Sequence, residues 1–325
     1  MKSVVALLFV WCGFVLTASE SRPSKLEHHQ VFGRDYIRLT DWARQTGLDF
    51  RWLVRGETAA MTNRTMRLNV KADSNKATLN GVNVSLNWPV ALKDGVLYLT
   101  SQDLQKVIYP VISPTRNSTG EKIRTICIDP GHGGKDPGNL EGREQEKKYT
   151  LMLGQELSAQ LKKTGFKVVM TRTGDTYPEL PARPDRANRA GADLFVSLHF
   201  NSSTSRDVRG AEVYCMTPRG AASTMARGEG TLSHSFAGNA NDDKNMLLAF
   251  QIQKALTREL RVDDRGVQHA RWAVLRDARM PAVLIEGGFM SNPSEGRKIY
   301  DATYRRQMAQ AIVDGIVAYQ RLVER

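Results

Sequence analysis

The 325-residue chain is 41% hydrophobic and 25% charged, the balance of a folded globular protein long enough for two domains. Its formal net charge of +12 favours an anionic partner: nucleic acid, an acidic membrane surface or an acidic wall polymer. No Lys/Arg run with interleaved aromatics occurs, which sets nucleic acid aside.

Lys2 precedes the apolar run Val4 to Val10, a second apolar stretch reaches Leu16, and the small residues Thr17, Ala18 and Ser19 follow. This order predicts a secretory signal peptide over residues 1–19, cleaved after Ala18 or Ser19. The run is short for an uncleaved membrane anchor. Trp11 before Cys12 does not suit a lipoprotein cleavage site. No other stretch has the length to span a bilayer, so the mature protein is expected without a membrane span, exported to the periplasm or cell envelope. Cys127 and Cys215 remain, both in strand-like runs. They read as buried free thiols, with a disulfide in an oxidising compartment as the alternative.

Residues 26–114 read as a small β-rich unit with an internal strand-helix repeat. Gly33 to Leu39 is strand-like, Thr40 opens a short helix over Asp41 to Gln45, and Gly47 ends it. The pattern returns with a turn at Asp94-Gly95, a strand over Val96 to Leu99, and a helix from Thr100 or Ser101 through Leu104. Between them lie Met66 to Val70, Ala77 to Leu79 and Val82 to Leu86, with Asn80-Gly81 as a hairpin turn. Glu27-His28-His29 has metal-binding residue types, but it reads as a solvated terminus. The Tyr36-Ile37-Arg38-Leu39 and Leu97-Tyr98-Leu99 repeats and the Asn80-Gly81 hairpin resemble the stalk-like module named from the N-terminal region of copper amine oxidases. The resemblance implies a spacer or binding module and no copper.

The polar stretch Ser113 to Gly120 predicts a linker, taken as residues 115–122. From 123 to 325, strands and helices alternate. Ile126 to Asp129 is a strand leading into the glycine turn Gly131-His132-Gly133-Gly134. A helix follows over Lys147 to Lys163, with Leu153, Leu157 and Leu161 as its apolar stripe and Gly165 as its stop. Phe166 to Thr171 is the next strand, Pro184 starts a short helix through Ala190, and Leu194 to Phe200 and Ala211 to Cys215 are strands. Thr217 to Asn245 is a long Gly/Ala/Ser/Asn stretch, read as a substrate-facing loop or a mobile flap. Met246 to Leu260 is a helix, Trp272 to Leu275 and Ala282 to Ile285 are strands, and Asn292-Pro293-Ser294-Glu295 opens a helix. The last helix carries Met308, Ile312 and Ile316 on one face. The alternation predicts an α/β layer fold, a mostly parallel sheet flanked by helices, behind the smaller β-rich α+β unit.

Polar groups stand at strand ends where a plain core would not place them. His132 follows the first strand of this region, His199 lies at the end of Leu194 to Leu198, and Glu286 ends Ala282 to Ile285 before Gly287-Gly288. Glu146 precedes the first helix. Taken singly, His132 reads as a turn histidine, His199 as a satisfied core histidine, and Glu144 and Glu146 as parts of a solvated helix start. Glu286 demands more, because an unpaired carboxylate at a buried strand end costs several kcal/mol. Two histidines and a carboxylate are a standard open donor set for catalytic zinc, which brings the pKa of its water to about 7. A second carboxylate would carry that water's proton to a leaving amine.

Ile128-Asp129-Pro130-Gly131-His132-Gly133-Gly134-Lys135-Asp136-Pro137-Gly138 resembles the opening motif of the zinc-dependent N-acetylmuramoyl-L-alanine amidases with a type 3 catalytic domain. Further motifs occur in that family's order. Glu146 begins Glu-Lys-Lys-Tyr-Thr-Leu, Arg183 and Ala187-Asn188 match its next helix, and Ala192 to Asn201 matches its second histidine motif. Arg265-Gly266-Val267 and Val274-Leu275-Arg276 lead into Pro281 to Pro293, its final glutamate block. The resemblance implies one Zn2+ held by His132, Glu146 and His199, with Glu286 as catalytic acid/base; Glu144 is the alternative to Glu146. It further implies cleavage of the amide between N-acetylmuramic acid and L-alanine of the peptidoglycan stem, in wall remodelling or daughter-cell separation. Arg and Lys around the cleft are expected to hold the stem peptide's carboxylates, and the N-terminal unit to have an activator or wall-binding role. Pro184 departs from the family's usual aliphatic residue. Thr217 to Asn245, with Gly220, Gly228, Gly230 and Gly238, is poorly suited to the inhibitory helix some relatives carry. His234 reads as an exposed loop histidine, and His269 as a groove-lining or turn-capping one. The rival readings are a zinc hydrolase cutting within the stem peptide and a non-catalytic wall-binding relative.

Overall fold

The structure, a computed structural model, describes residues 26–224 and 230–324. The expected signal peptide therefore lies outside the described residues. No helix among the described residues is long and apolar enough to cross a membrane.

The N-terminal part runs β1 (His28–Val31), β2 (Arg34–Arg38), α1 (Leu39–Gln45), β3 (Asp49–Val54), β4 (Thr58–Thr62), β5 (Arg67–Lys71), β6 (Lys76–Leu79), β7 (Val82–Ser85), β8 (Ala91–Lys93) and β9 (Val96–Thr100). A helical stretch follows: α2 (Ser101–Asp103), a π-helical turn over Leu104–Ile108, and α3 (Tyr109–Ile112). The stretch around His28 is no loose terminus, because His28 to Val31 pair antiparallel with β2 and the His28 ring meets the Asp35 carboxylate. Strands β1, β2, β9 and β8 form one antiparallel sheet.

The second part runs β10 (Thr125–Pro130), β11 (Leu140–Glu141), β12 (Glu144–Gln145), α4 (Glu146–Lys163), β13 (Lys167–Met170), α5 (Ala182–Arg189), β14 (Leu194–Asn201) and β15 (Ala211–Met216). Then come α6 (Asp242–Leu260), β16 (Asp264–Ala270), α7 (Ala273–Arg276), β17 (Ala282–Phe289), α8 (Pro293–Tyr300) and α9 (Ala302–Val323). The order of the large sheet is β13-β10-β14-β17-β15-β16-β7-β6-β5-β4-β3.

This sheet is mixed, which corrects the expectation of a mostly parallel one. Strands β13, β10, β14 and β17 are parallel neighbours, but β15 pairs antiparallel with β17 and carries β16 with it. The cause lies between Asn201 and Ala211, where no helix intervenes. A parallel neighbour needs a crossover of about a dozen residues or more, so the chain turns back instead. The strand expected at Trp272 to Leu275 is also absent: the strand is β16, and Ala273–Arg276 is one helical turn whose Leu275 and Arg276 amides donate to the Trp272 carbonyl.

The main core lies between the sheet and α4, α6 and α9, with Leu153, Leu157 and Leu161 against Ile312 and Ile316. A smaller core on the other face holds Phe195, Tyr214, Leu275 and Leu284. Cys215 belongs to the first core and Cys127 to the second; both are free and buried. The N-terminal strands join the large sheet at Val84 beside Val267. Asn83 donates its amide to Asp264 (2.7 Å) and Ser85 its hydroxyl to Gln268 (2.8 Å), which fastens that seam.

Within the N-terminal part, Asp103 is the polar keystone. Its fully buried carboxylate accepts from the amides of Asn87 (2.6 Å) and Trp88 (3.2 Å), the Asn87 side chain (2.9 Å) and the Thr100 hydroxyl (2.5 Å). Burial nevertheless pushes its carboxyl up to about 6. Replacing it orphans two main-chain amides at once. Asp103→Ala is expected to cost about 2–4 kcal/mol in urea unfolding, and an unchanged midpoint would contradict this account.

Candidate metal centre and active site

Construction of the site starts at Asp129. The apolar run Ile126-Cys127-Ile128 sinks β10 between β13 and β14, and Asp129 goes down with it, fully buried. Its carboxylate accepts from Thr171 Oγ1 (2.5 Å), Ser197 Oγ (2.8 Å) and Arg183 Nη1 (2.9 Å). Arg183 also donates to the carbonyls of Pro130 (3.0 Å), His132 (2.9 Å) and Pro178 (3.1 Å). Arg172, equally buried, donates to the carbonyls of Pro130 (2.9 Å) and Gly131 (2.8 Å). Two guanidiniums thus fix the turn after β10, in which His132 takes a left-handed φ of 60°.

Three side chains from three elements meet there. His132 Nε2 lies 3.0 Å from Glu146 Oε2, and His199 Nδ1 lies 3.0 Å from Glu146 Oε1. One donor atom from each residue falls within 4.8 Å of the others, a grouping able to hold a metal ion. Glu146 opens α4 and is 1% exposed. Its oxygens also accept from the amides of Asn139 (2.9 Å) and Phe200 (3.0 Å). Burial alone would raise its pKa, but the two imidazoles hold it well below the ordinary carboxylate range. Burial likewise opposes the charged form of His132, yet Glu146 and Asp136 outweigh it and hold the ring above its usual value. Asp136 sits 2.8 Å from His132 Nδ1, the position of the outer carboxylate often found behind a metal-ligating histidine. The donor chemistry, two imidazoles and one carboxylate with an outer carboxylate behind, fits a divalent ion such as zinc.

The glycines around the cluster are there for close packing. A Cβ on Gly131 would lie 2.2 Å from the His199 ring, and one on Gly138 would lie 2.6 Å from both Glu146 Oε2 and the His132 ring. The space that glycine leaves is filled by the donor side chains themselves.

Glu286 stands opposite His199 in the parallel β14/β17 register and opposite Glu212 in the antiparallel β15/β17 register. Its Oε2 is buried and has no hydrogen-bond partner. Burial, then Glu146 and Glu212, raise its pKa well above the ordinary value. Glu212 is fully buried but satisfied, accepting from Asn201 (2.8 Å), Tyr214 (3.1 Å) and Arg265 (3.1 Å). His132, Glu146, His199 and Glu286 all line one cavity of about 570 Å³.

Other sequence candidates lie elsewhere. Glu144 turns to Tyr149 and Lys148. His234 is exposed against the Phe236 ring. His269 is buried on β16 beside Cys215, its ring nitrogens unpaired, and burial lowers its pKa to about 4. Among the described residues, none of 217–245 lines the cavity. The stretch reaches the N-terminal part instead, where Gln102 donates to the Arg219 carbonyl (2.7 Å). Its helical content is greater than expected, since α6 begins at Asp242. Among the described lining residues the cation is Arg183, already engaged by Asp129 and the turn.

The family model for N-acetylmuramoyl-L-alanine amidases matches residues 126–318. The chain belongs to that family. Over 228 residues it is 35% identical to N-acetylmuramoyl-L-alanine amidase AmiC of Neisseria meningitidis, covering 63% of this chain and 55% of that protein. Over 230 residues it is 33% identical to AmiA of Salmonella typhimurium, covering 63% of this chain and 79% of the relative. Against LytC of Bacillus subtilis it is 36% identical but spans only 36% of that protein, so the chain matches about half or less of some curated relatives. Among solved structures, an N-acetylmuramoyl-L-alanine amidase from Clostridium difficile 630 superposes with a TM-score of 0.52 at 33% identity, covering 61% of this chain and 97% of that one. AmiC2 of Nostoc punctiforme gives a TM-score of 0.51 at 33% identity, with 62% and 99% covered.

Sequence reasoning about this family member overlooked Asp129, Asp136, Arg172 and Glu212 as parts of the site. The signal was available for Asp129 and Glu212. Each interrupts an apolar strand, and the argument that singled out Glu286 applies equally to them. Arg183→Ala strips the buried Asp129 of its cation and is expected to cost about 3–5 kcal/mol. Arg183→Lys is expected to recover little of it, because one ammonium cannot serve Asp129 and three carbonyls in the same fork. Thermal and denaturant unfolding of both variants checks this; a lysine variant as stable as the parent would refute it.

Proposed function

We propose that this chain is a zinc-dependent N-acetylmuramoyl-L-alanine amidase of the exported cell envelope, acting on peptidoglycan. It would hydrolyse the amide between the lactyl group of N-acetylmuramic acid and L-alanine of the stem, in wall remodelling or daughter-cell separation. The observation that carries this reading is the meeting of His132, Glu146 and His199 in one cavity with a Glu286 oxygen that no protein group satisfies. Family membership supplies the substrate class. The net charge of +12 suits an anionic wall.

His132, Glu146 and His199 would hold the zinc, with Asp136 fixing the His132 ring. Zinc bound there supplies Lewis acidity toward the scissile carbonyl and acidifies water. Glu286 takes the proton of the attacking water on its free oxygen and delivers it to the leaving L-alanine nitrogen. Burial and nearby carboxylates raise its affinity for that proton, which suits a group that must gain it and then release it. The outlying parts belong to the same reading: a signal peptide over 1–19, a β-rich unit over 26–114 acting as spacer, wall-binding or activator module, a linker over 115–122 and the catalytic domain over 123–325.

Purified protein is expected to carry one zinc per chain and to release intact stem peptides with a free L-alanine amine from sacculi. Stem fragments in the mass spectrum would instead indicate an endopeptidase. A chelator should abolish release and added zinc restore it. Glu286→Gln should retain zinc and lower kcat by about 10²- to 10⁴-fold. Digestion of sacculi by Glu286→Ala at the parent rate would overturn the mechanism.

A further inference from the structure

One wall of the catalytic cavity is apolar and uncovered. Leu180 is 51% exposed and Trp272 38% exposed, and both line the cavity with His132 and Glu286. Trp272 is held from behind. Its indole packs on the Tyr214 ring at 4.5 Å between centroids and 39° between planes, and Tyr214 is anchored through its hydroxyl to Glu212 (3.1 Å). Its carbonyl accepts from the amides of Leu275 and Arg276 in α7 (2.9 Å each), so the backbone is fixed as well. A tryptophan stacked on one face, rigid at both ends and open toward a cavity is a preformed contact surface. Large apolar side chains left open in a concave site are those a ligand covers.

The remainder of the lining decides which part of the ligand goes there. Among its described residues the cation is Arg183, which is committed to Asp129 and the turn carbonyls. The substrate has two unlike halves. The stem peptide carries carboxylates, for which the described lining residues offer no free cation. The amide-linked N-acetylmuramoyl group is an uncharged ring whose C–H face matches the electron-rich face of an indole.

The geometry points to Trp272 as the sugar platform of this site, a specificity-determining residue that takes the N-acetylmuramoyl ring on its open face, with Leu180 as a second apolar contact. This rests on the amidase reading above. The platform positions the substrate and takes no part in proton transfer, so its loss acts on binding.

The test uses the full chain with Trp272→Ala and Trp272→Phe. On peptidoglycan, Trp272→Ala should raise KM about tenfold or more with kcat within about threefold, and Trp272→Phe should restore KM to within about threefold. Calorimetry in the Glu286→Gln background, where turnover is strongly slowed, should show N-acetylmuramic acid methylamide binding to Trp272 and Trp272→Phe proteins and at least tenfold weaker binding to Trp272→Ala. Binding of free stem peptide should not change. Stem-peptide binding falling while the sugar amide is unaffected would overturn the proposal, as would unchanged sugar binding in both variants. A kcat loss matched by a lowered melting temperature, with no rescue by phenylalanine, would also overturn it and show a structural role. If the parent protein releases no stem peptide, the amidase reading itself fails, whereas sugar binding is measured without turnover and fails separately.

Discussion

The ion pair between Asp129 and Arg183 is the interaction on which the site depends. A carboxylate at the end of a buried strand is tolerable only with a cation and further donors, and Asp129 has Arg183, Thr171 and Ser197. The same guanidinium reaches forward to the carbonyls of Pro130 and His132. The cost of burying one acid is thereby converted into a fixed turn. That turn holds His132 in a left-handed backbone conformation that a non-glycine residue adopts only when its surroundings demand it.

Sheet topology supplies the rest of the convergence. Strands β10, β14 and β17 are parallel neighbours, so their ends deliver His132, His199 and Glu286 to one edge. The strand that breaks the parallel pattern matters as much. Because β15 returns antiparallel beside β17, Glu212 stands directly across from Glu286. In a wholly parallel sheet the residue facing Glu286 would come from the far end of a crossover, and this pair of carboxylates would not meet.

How much of this was legible follows from which interactions are local. The strand-turn at Ile126 to Gly134, the leucine stripe of α4 and the cap at Asn292 are written in neighbouring residues, and they stand close to where periodicity and capping chemistry put them. The four residues singled out as polar intruders line one cavity. What escaped was long-range. The direction of β15 depends on a connection without a helix, which no periodicity reveals. The helical turn at Ala273–Arg276 looks like a strand because Trp272, Val274 and Leu275 are apolar for tertiary reasons, Val274 and Leu275 in the smaller core and Trp272 and Val274 at the cavity. The strand at His28 to Val31 forms because β2 is there to pair with it.

Charge bookkeeping across the site separates structural acids from working ones. Four carboxylates are gathered at the ends of β10, β15 and β17 and the start of α4. Asp129 is neutralised by Arg183 and Glu212 by Arg265, each through a direct contact. Glu146 meets only imidazoles and amides, and the Glu286 oxygen meets nothing. The two acids with arginines shape the scaffold. The two without an arginine face the low-dielectric cavity, Glu146 against imidazoles and Glu286 with a raised affinity for a proton. A divalent cation seated on Glu146 and the two histidines would offset both carboxylates and leave Glu286 free to accept a proton. On the proposed reading, this pair without arginines is the working part of a metal-dependent hydrolytic site, and Arg183 and Arg265 fix the scaffold around it.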